Sequence, residues 1–200
     1  MDPIRVAFAL VAGYLVGAVP FGVLIGQRAA GVDIRRLGSG NTGATNALRV
    51  LGPRAAALVL AMDIAKGIAA VFIGRWLVGG DVVPLVSGLA AVVGHNWSVF
   101  LRFGGGKGVA TTVGVVIASM PLVATIAIAA FLITVTVTGY VSVGSLTMAV
   151  LLPLLAWFLK NPSPHVAFVA MLALMMFWRH RANIVRLIEG RENKLGRRIR

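Results

Sequence analysis

Long apolar stretches dominate the sequence and restrict it to a membrane protein. About 20 consecutive apolar residues are enough for one helix to cross a bilayer. Only 12% of the 200 residues are charged and 58% are hydrophobic, a composition that excludes an ordinary water-soluble domain. The 24 glycines are typical of membrane helices that pack closely. The apolar stretches are residues 4–26, 55–78, 82–101, 109–138, 140–159 and 164–178.

The positive charge is concentrated in two segments. Residues 27–54 contain five arginines and one acidic residue, Asp33, and residues 179–200 contain eight lysines and arginines against two glutamates. Basic segments beside membrane helices stay in the cytoplasm, so we expect both segments on that side. A nucleic-acid-binding domain would also be basic, but it has no use for so much apolar sequence, and we predict no nucleic-acid partner.

If the first apolar stretch crosses the membrane and both basic segments lie in the cytoplasm, the N-terminus is outside and the C-terminus is inside. The number of crossings must then be odd. We interpret residues 4–26 as a retained helix rather than a cleaved signal peptide. Breaking 109–138 at Ser119-Met120-Pro121 and 140–178 at residues 160–164 gives seven spans. The alternative has five spans but must bury Lys160 and two prolines. The sequence therefore predicts an all-α integral membrane protein, a seven-helix transmembrane bundle forming one domain over residues 1–200, with the N-terminus outside and the C-terminus cytoplasmic.

The first polar segment, residues 38–49, reads GSGNTGATNALR. Its G-x-G-x-x-G spacing does not indicate a dinucleotide fold, because a membrane helix rather than a strand precedes it. Glycines let backbone N–H groups approach an anion, and a helix from about Gly43 to Gly52-Pro53 would direct its N-terminus and Arg49 towards a phosphate. A plain connecting loop is the alternative. The expected phosphate-binding residues besides Arg49 are Gly38, Ser39, Gly40, Asn41 and Thr42.

The second polar segment, residues 94–111, carries three glycines before Lys107. It is not a P-loop, because Leu101 stands where that motif requires glycine and Gly108 where it requires serine or threonine. We predict that an exposed glycine backbone and the Lys107 ammonium bind an anion. The alternative is a lysine that reaches lipid headgroups, and we expect His95 to pack or hydrogen-bond locally.

The third polar segment, residues 179–194, is strongly basic. His180 and Asn183 are three residues apart and share one face of a helix. Attraction of this segment to anionic lipid is the competing interpretation.

Two intramembrane features complete the candidates. Asp63 and Lys66 lie three residues apart in the second apolar stretch, and we predict a structural ion pair. Ser142 and Ser145 are either donors to a headgroup or packing residues, and packing is favoured. The histidines show no metal-ligand spacing, so we predict no metal.

Together the three segments resemble the signatures of the bacterial acyl-phosphate-dependent glycerol-3-phosphate acyltransferases, the PlsY type. The resemblance implies a seven-span inner-membrane enzyme that needs no cofactor. Such an enzyme transfers a fatty acyl group from acyl phosphate to the sn-1 hydroxyl of glycerol 3-phosphate, giving lysophosphatidic acid and phosphate. The residues that it places around the phosphates are Ser39, Arg49, Lys107, His180 and Asn183, with Gly40, Asn41, Thr42, Gly105 and Gly106 as backbone walls. Ser142 lies in a further region of likeness.

We expect the three segments to meet at the cytoplasmic face as one cationic phosphate site. The glycerol hydroxyl would attack directly, with Lys107 and Arg49 stabilising the leaving phosphate. His180 or the substrate phosphate would accept the proton, and acylation of Ser39 is the weaker alternative. A transporter for a phosphorylated solute and a structural module that binds anionic lipid are the competing functions.

Overall fold

The computed structural model describes residues 2–195, which are helical apart from loops and an isolated β-bridge between Ser98 and Gly104. The prediction of an all-α fold is confirmed. Short 3-10 turns occur at Ile34–Arg36 and Val99–Leu101. Met1 and residues 196–200 of the predicted domain, including part of the basic tail, lie outside the described residues. The α-helices between residues 2 and 195 are α1 (Pro3–Ala18), α2 (Phe21–Ala30), α3 (Ala44–Leu51), α4 (Pro53–Leu77), α5 (Val82–Asn96), α6 (Val109–Ser119), α7 (Pro121–Thr138), α8 (Val141–Phe158) and α9 (Ser163–Ile188).

Proline and glycine set several helix ends. Pro53 and Pro121 occupy the first turns of α4 and α7, where the missing N–H costs no helical hydrogen bond. Gly139 ends α7 in the left-handed conformation, with φ of 77°. At the N-terminus of α1, the Asp2 carboxylate accepts a hydrogen bond of 3.0 Å from the backbone N–H of Ile4.

The predicted break in the stretch 109–138 is confirmed. The helix α6 ends at Ser119, Met120 lies between helices, and α7 begins at Pro121. Residues 140–178 likewise form the separate helices α8 and α9. Neither continuous helix that the five-span alternative requires occurs in these two ranges. The number of crossings and the sides of the two termini stay predictions.

The first apolar stretch departs from the single helix that was expected over residues 4–26. The helix α1 ends at Ala18 and α2 begins at Phe21, so the expectation of one continuous helix is wrong. Pro20 explains the break, because proline lacks an N–H and disfavours helical backbone at the residue before it. This break and the short helix α3 account for nine α-helices, rather than seven, within residues 2–195.

Four segments are long and apolar enough to cross a membrane by length and composition. They are Pro3–Ala30, which joins α1 and α2, together with α4, α7 and α8. The apolar helices α5 and α6 are shorter. Large apolar side chains point outwards, among them Trp76, which is 84% exposed. Such a surface suits lipid rather than water.

The described chain forms two compact units, residues 2–115 and 116–195. In the first unit α1 packs against α4 and α5, α4 packs against α5, and α2 and α3 pack against α4. In the second unit α8 packs against both α7 and α9. The prediction of a single domain over the whole chain stays a prediction.

Glycines bring the backbones of α1 and α5 into direct contact. A Cβ atom added to Gly17 would lie 2.1 Å from the carbonyl oxygen of Ala91, and one added to Gly94 would lie 2.2 Å from that of Tyr14. No real side chain fits at such distances, so both positions require glycine. The expectation that the glycines serve close helix packing is confirmed for this pair of helices.

The α1–α5 contact predicts a stability difference between two valine substitutions on α1. Gly17→Val should lower the free energy of unfolding by about 1–3 kcal/mol, because the added side chain forces the two backbones apart. Ala7→Val on the exposed face of α1 is the control and should change little. The measurement is thermal unfolding in detergent, and equal midpoints for the two variants would contradict the contact.

Candidate active site

The first polar segment is a tight loop that the side chain of Asn46 holds together. Asn46 is 1% exposed. Its Nδ2 atom donates to the carbonyl oxygens of Ile34 at 2.8 Å, Asn41 at 2.8 Å and Leu37 at 3.2 Å. Its Oδ1 atom accepts a hydrogen bond of 2.8 Å from the backbone N–H of Ser39. One buried amide therefore fixes the path of the loop.

The predicted anion-binding residues of this segment lie around that loop. Ser39 is exposed, and Arg49 is half-buried on α3. Gly38 and Gly40 have φ of 61° and 71°, in the left-handed region that favours glycine. The predicted helix after Gly43 is confirmed, since α3 runs from Ala44 to Leu51.

Two further members of the segment have local roles. The Oδ1 atom of Asn41 accepts a 2.9 Å hydrogen bond from the backbone N–H of Gly43, so this side chain caps the turn into α3. Thr42 is 5% exposed, and its carbonyl oxygen lies where a Cβ atom of Gly22 would otherwise be. Contact with Gly22 places the loop directly against α2.

Asp33, the acidic residue nearest to this loop in sequence, has its negative charge compensated by an arginine. Asp33 forms an ion pair with Arg35, with 2.7 Å between Oδ2 and Nη2. The side-chain hydrogen bond from Arg35, assisted by the backbone N–H of the same residue, lowers the pKa of Asp33 to about 2. The Asp33 carboxylate is therefore compensated locally, and the net charge of residues 27–54 remains positive.

The second polar segment is anchored by its own backbone and by α1. Ser98 donates through its backbone N–H to the carbonyl of Gly104 at 2.9 Å, and through Oγ to the carbonyl of Ala18 at 2.6 Å. The N–H of Gly106 donates to the carbonyl of His95 at 3.0 Å. Lys107 follows this fixed backbone and is half-buried.

A small cavity inside the first unit is lined by residues of the first two polar segments. Thr42 from the first segment lines it, as do His95, Ser98 and Leu101 from the second. Asp63 and Lys66 also line it. The lining therefore combines hydroxyl, imidazole, ammonium and carboxylate groups, all of which can bind a polar ligand or water.

The predicted ion pair of Asp63 and Lys66 is confirmed. The distance between Lys66 Nζ and Asp63 Oδ1 is 2.7 Å, and the two side chains are 3% and 2% exposed. Lys66 Nζ also lies 2.8 Å from Nδ1 of His95, which confirms that this histidine forms a local hydrogen bond.

In the second unit, the carboxylate of Glu192 accepts hydrogen bonds from two of the candidate residues. The Oε1 atom of Glu192 accepts hydrogen bonds from Ser142 Oγ at 2.9 Å and Asn183 Nδ2 at 2.6 Å. Its Oε2 atom accepts one of 2.8 Å from Arg186 Nε. Leu195 donates through its backbone N–H to the carbonyl of Gly139, which returns residues 191–195 to the start of α8.

The hydrogen bonds to Glu192 decide its protonation state. Burial raises the pKa of this carboxyl, but the hydrogen bonds from Asn183, Arg186 and Ser142 outweigh that effect and lower it below the usual value of 4.5. Glu192 is therefore ionised at neutral pH and orients the amide of Asn183 and the hydroxyl of Ser142.

His180 is held in one orientation on α9. It is 2% exposed, and its Nδ1 atom lies 2.8 Å from the carbonyl oxygen of Met176. Because a carbonyl can only accept, Nδ1 carries the hydrogen, and Nε2 is the basic nitrogen of the neutral ring. His180 and Asn183 both lie on α9, as predicted. Their participation in one phosphate site with the first two segments stays a prediction.

Comparison with known proteins decides the family. A family model described as glycerol-3-phosphate acyltransferase matches residues 7–190. The chain belongs to this family. It is 46% identical to the glycerol-3-phosphate acyltransferase of Shouchella clausii, with 93% of this chain and 94% of that protein covered. It is 45% identical to the one from Thermus thermophilus, with 96% of each covered.

Solved structures agree with this family membership. The acyltransferase fold matches a crystal structure of PlsY (YgiH), an integral membrane glycerol 3-phosphate acyltransferase in its glycerol 3-phosphate form, with a TM-score of 0.91 and 38% identity over 96% of both chains. The lysophosphatidic acid form of PlsY matches with a TM-score of 0.89. With its several apolar helices, the present acyltransferase is a multi-pass membrane protein.

Sequence reasoning missed two organising residues of this acyltransferase. Asn46 belongs to the first segment but was given no role, and Glu192 counted only towards the net charge. A signal existed for each. Asn46 lies in the first turn of α3, where an amide can reach back to a loop, and Glu192 is one of two glutamates within a strongly basic segment.

The lowered pKa of Glu192 predicts a pH-dependent contribution to stability. The carboxylate stabilises the fold above pH 4.5, and this contribution disappears as the pH falls through the lower pKa of the folded state. Glu192→Gln should therefore lower the unfolding temperature at pH 7, and its difference from the unmodified protein should shrink below pH 4.5.

The control for this prediction is Glu189→Gln, which removes an exposed carboxylate paired with Arg191. It should cause a smaller change at pH 7. A Glu192→Gln difference that is constant from pH 7 down to acid would show that the ionised carboxylate is not the source of the stability.

Proposed function

We propose that this family member transfers a fatty acyl group from acyl phosphate to the sn-1 hydroxyl of glycerol 3-phosphate, giving lysophosphatidic acid and inorganic phosphate. The observation that carries the proposal is the likeness, over 96% of both chains, to an acyltransferase solved in its glycerol 3-phosphate form. The form with lysophosphatidic acid supports the identity of the product. Family membership favours acyl transfer over transport or lipid binding.

The chemistry needs no covalent intermediate on the protein. The sn-1 oxygen attacks the acyl carbon, the bond between that carbon and the phosphate oxygen breaks, and phosphate leaves with the bonding electrons. Acyl phosphate is a mixed anhydride with a good leaving group, so catalysis consists of positioning and of stabilising negative charge. Acylation of Ser39 is not part of the proposed reaction.

Residues of the first unit supply the positive charge and the hydrogen-bond donors. Lys107 and Arg49 stabilise the negative charge on phosphoryl oxygens, and the backbone of Gly105 and Gly106 lies directly before Lys107. Asn46 supports this assignment, because it fixes the loop that carries Ser39. Donors held in this way need little reorganisation when charge develops, which is the main source of such catalysis.

The residues of the second unit supply oriented polar groups. Glu192 holds Asn183 and Ser142 through hydrogen bonds, and Met176 holds the ring of His180. We assign Asn183 and His180 to phosphate binding. Ser142 donates its one hydroxyl hydrogen to Glu192, so it contributes by holding that carboxylate in place. The proton of the attacking hydroxyl passes either to Nε2 of His180 or to a phosphate oxygen of the acceptor, and the pH profile of a His180→Ala variant distinguishes the two.

The setting that we propose is the cytoplasmic face of the bacterial inner membrane, with seven crossings. The net positive charge of residues 27–54 supports a cytoplasmic location. Both substrates are anionic, and the acyl chain suits lipid, so a polar site beside apolar helices can receive them without a soluble carrier.

The central test is a lysine substitution with a matched control. Lys107→Met should lower kcat about 100- to 1000-fold, because it removes a preorganised donor to the leaving phosphate. Lys160→Met removes an exposed lysine between α8 and α9 and should leave turnover unchanged. Phosphate release from acyl phosphate by purified protein in detergent measures both. Equal turnover in the two variants would exclude the role of Lys107.

A second experiment tests the donor and the route of transfer. Lysophosphatidic acid should form only when acyl phosphate and glycerol 3-phosphate are both present, and acyl-CoA should not replace acyl phosphate. Isolation of protein acylated on Ser39 would overturn direct attack. Uptake of labelled glycerol 3-phosphate into proteoliposomes without an acyl donor would instead support a transporter.

A further inference from the structure

A buried polar cluster in the first unit has no part in the mechanism above. It consists of Asp63 and Lys66 on α4 and His95 on α5, which are 2%, 4% and 6% exposed. The ion pair of Asp63 and Lys66 adds little to the stability of the fold, because the loss of hydration offsets most of the attraction between the two charges. What a buried pair can do is fix neighbouring groups in one arrangement.

The Lys66 ammonium lies among three acceptors. Asp63 Oδ1 is 2.7 Å from Nζ, the carbonyl oxygen of Val19 is 3.1 Å away, and His95 Nδ1 is 2.8 Å away. Asp63 Oδ1 lies 3.6 Å from the same Nδ1 atom, beyond hydrogen-bond distance, so the shorter contact with Lys66 decides the role of Nδ1. An ammonium can only donate, so Nδ1 of His95 accepts and carries no hydrogen. In the neutral ring the hydrogen is therefore on Nε2. Lys66 thus determines both the tautomer and the orientation of this histidine.

The other side of the His95 ring lies against Gly106. A Cβ atom added to Gly106 would be only 2.0 Å from Nε2 of His95, so the ring occupies the space that a side chain at position 106 would need. A Cβ atom added to Gly105 would be 2.3 Å from the His95 carbonyl oxygen. That same carbonyl accepts the hydrogen bond from the Gly106 N–H. His95 therefore braces the two residues directly before Lys107 through its ring and its backbone.

We propose that Lys66, held by Asp63, is a positioning residue of the acyltransferase. Lys66 fixes the His95 ring, and the ring and carbonyl of His95 fix the backbone of Gly105 and Gly106. This backbone sets the position of the Lys107 ammonium. The inference rests on the proposed function, in which Lys107 stabilises the leaving phosphate. Lys66 itself touches no reacting atom.

The first test is spectroscopic and does not depend on activity. In protein labelled with ¹⁵N-histidine, His95 should have an unprotonated Nδ1 and a protonated Nε2 at neutral pH. The chain has three histidines, so a His95→Gln variant identifies the signal. A hydrogen on Nδ1 of His95 would overturn the inference, because Lys66 could then not donate to that atom.

The second test is kinetic and uses the double variant Asp63→Asn/Lys66→Met, which removes both charges and leaves no single buried charge behind. Its kcat should fall about ten- to a hundred-fold, since a misplaced Lys107 loses transition-state stabilisation. The KM for glycerol 3-phosphate should change much less, and the fixed tautomer of His95 should be lost. Arg75→Met removes an exposed cation from the same helix and is the matched control.

The outcomes separate the inference from the proposed function. A folded double variant with the kcat of Arg75→Met would exclude the positioning role. If the double variant does not fold, the histidine spectrum of the unmodified protein decides the matter. If the unmodified protein forms no lysophosphatidic acid from acyl phosphate, the proposed function fails, whereas the spectrum still reports whether Lys66 fixes His95.

Discussion

The constraint on which this structure depends is the high cost of a buried polar group without a hydrogen-bond partner. Three polar side chains avoid this cost by forming hydrogen bonds with groups on several elements. Asn46 connects α3 to the loop before it, Lys66 connects α4 to α5 and to the α1–α2 junction, and Glu192 connects α9 to the start of α8. Each of these side chains fixes the position of groups that could bind phosphoryl oxygens.

Glycine makes these arrangements possible by allowing backbones to approach closely. Gly17 and Gly94 let α1 and α5 touch, which holds the carbonyls at the end of α1 near the second polar segment. Ser98 and Lys66 donate to two of these carbonyls, those of Ala18 and Val19. The break at Pro20 is therefore more than an interruption of a membrane span, because it provides acceptors that anchor the residues before Lys107.

The same organisation fits the proposed reaction, in which both substrates carry a phosphoryl group. The donors lie in loops and at helix ends, where fixed N–H groups and cations can stabilise charge on a leaving phosphate. The first two polar segments border one cavity that also contains charged side chains.

The all-α membrane class, the break at residue 120, the helix from Ala44, the pairing of Asp63 with Lys66 and the family could all be predicted from the sequence. These features follow from local patterns, namely apolar length, proline, glycine and residue spacing, which require no knowledge of distant contacts. The contacts of Asn46, His95 and Glu192 could not be predicted before the packing of the helices was known. Their partners lie as far as 50 residues away in the chain, as for Ser142 and Glu192, and such pairings depend on which helix ends the packing brings together.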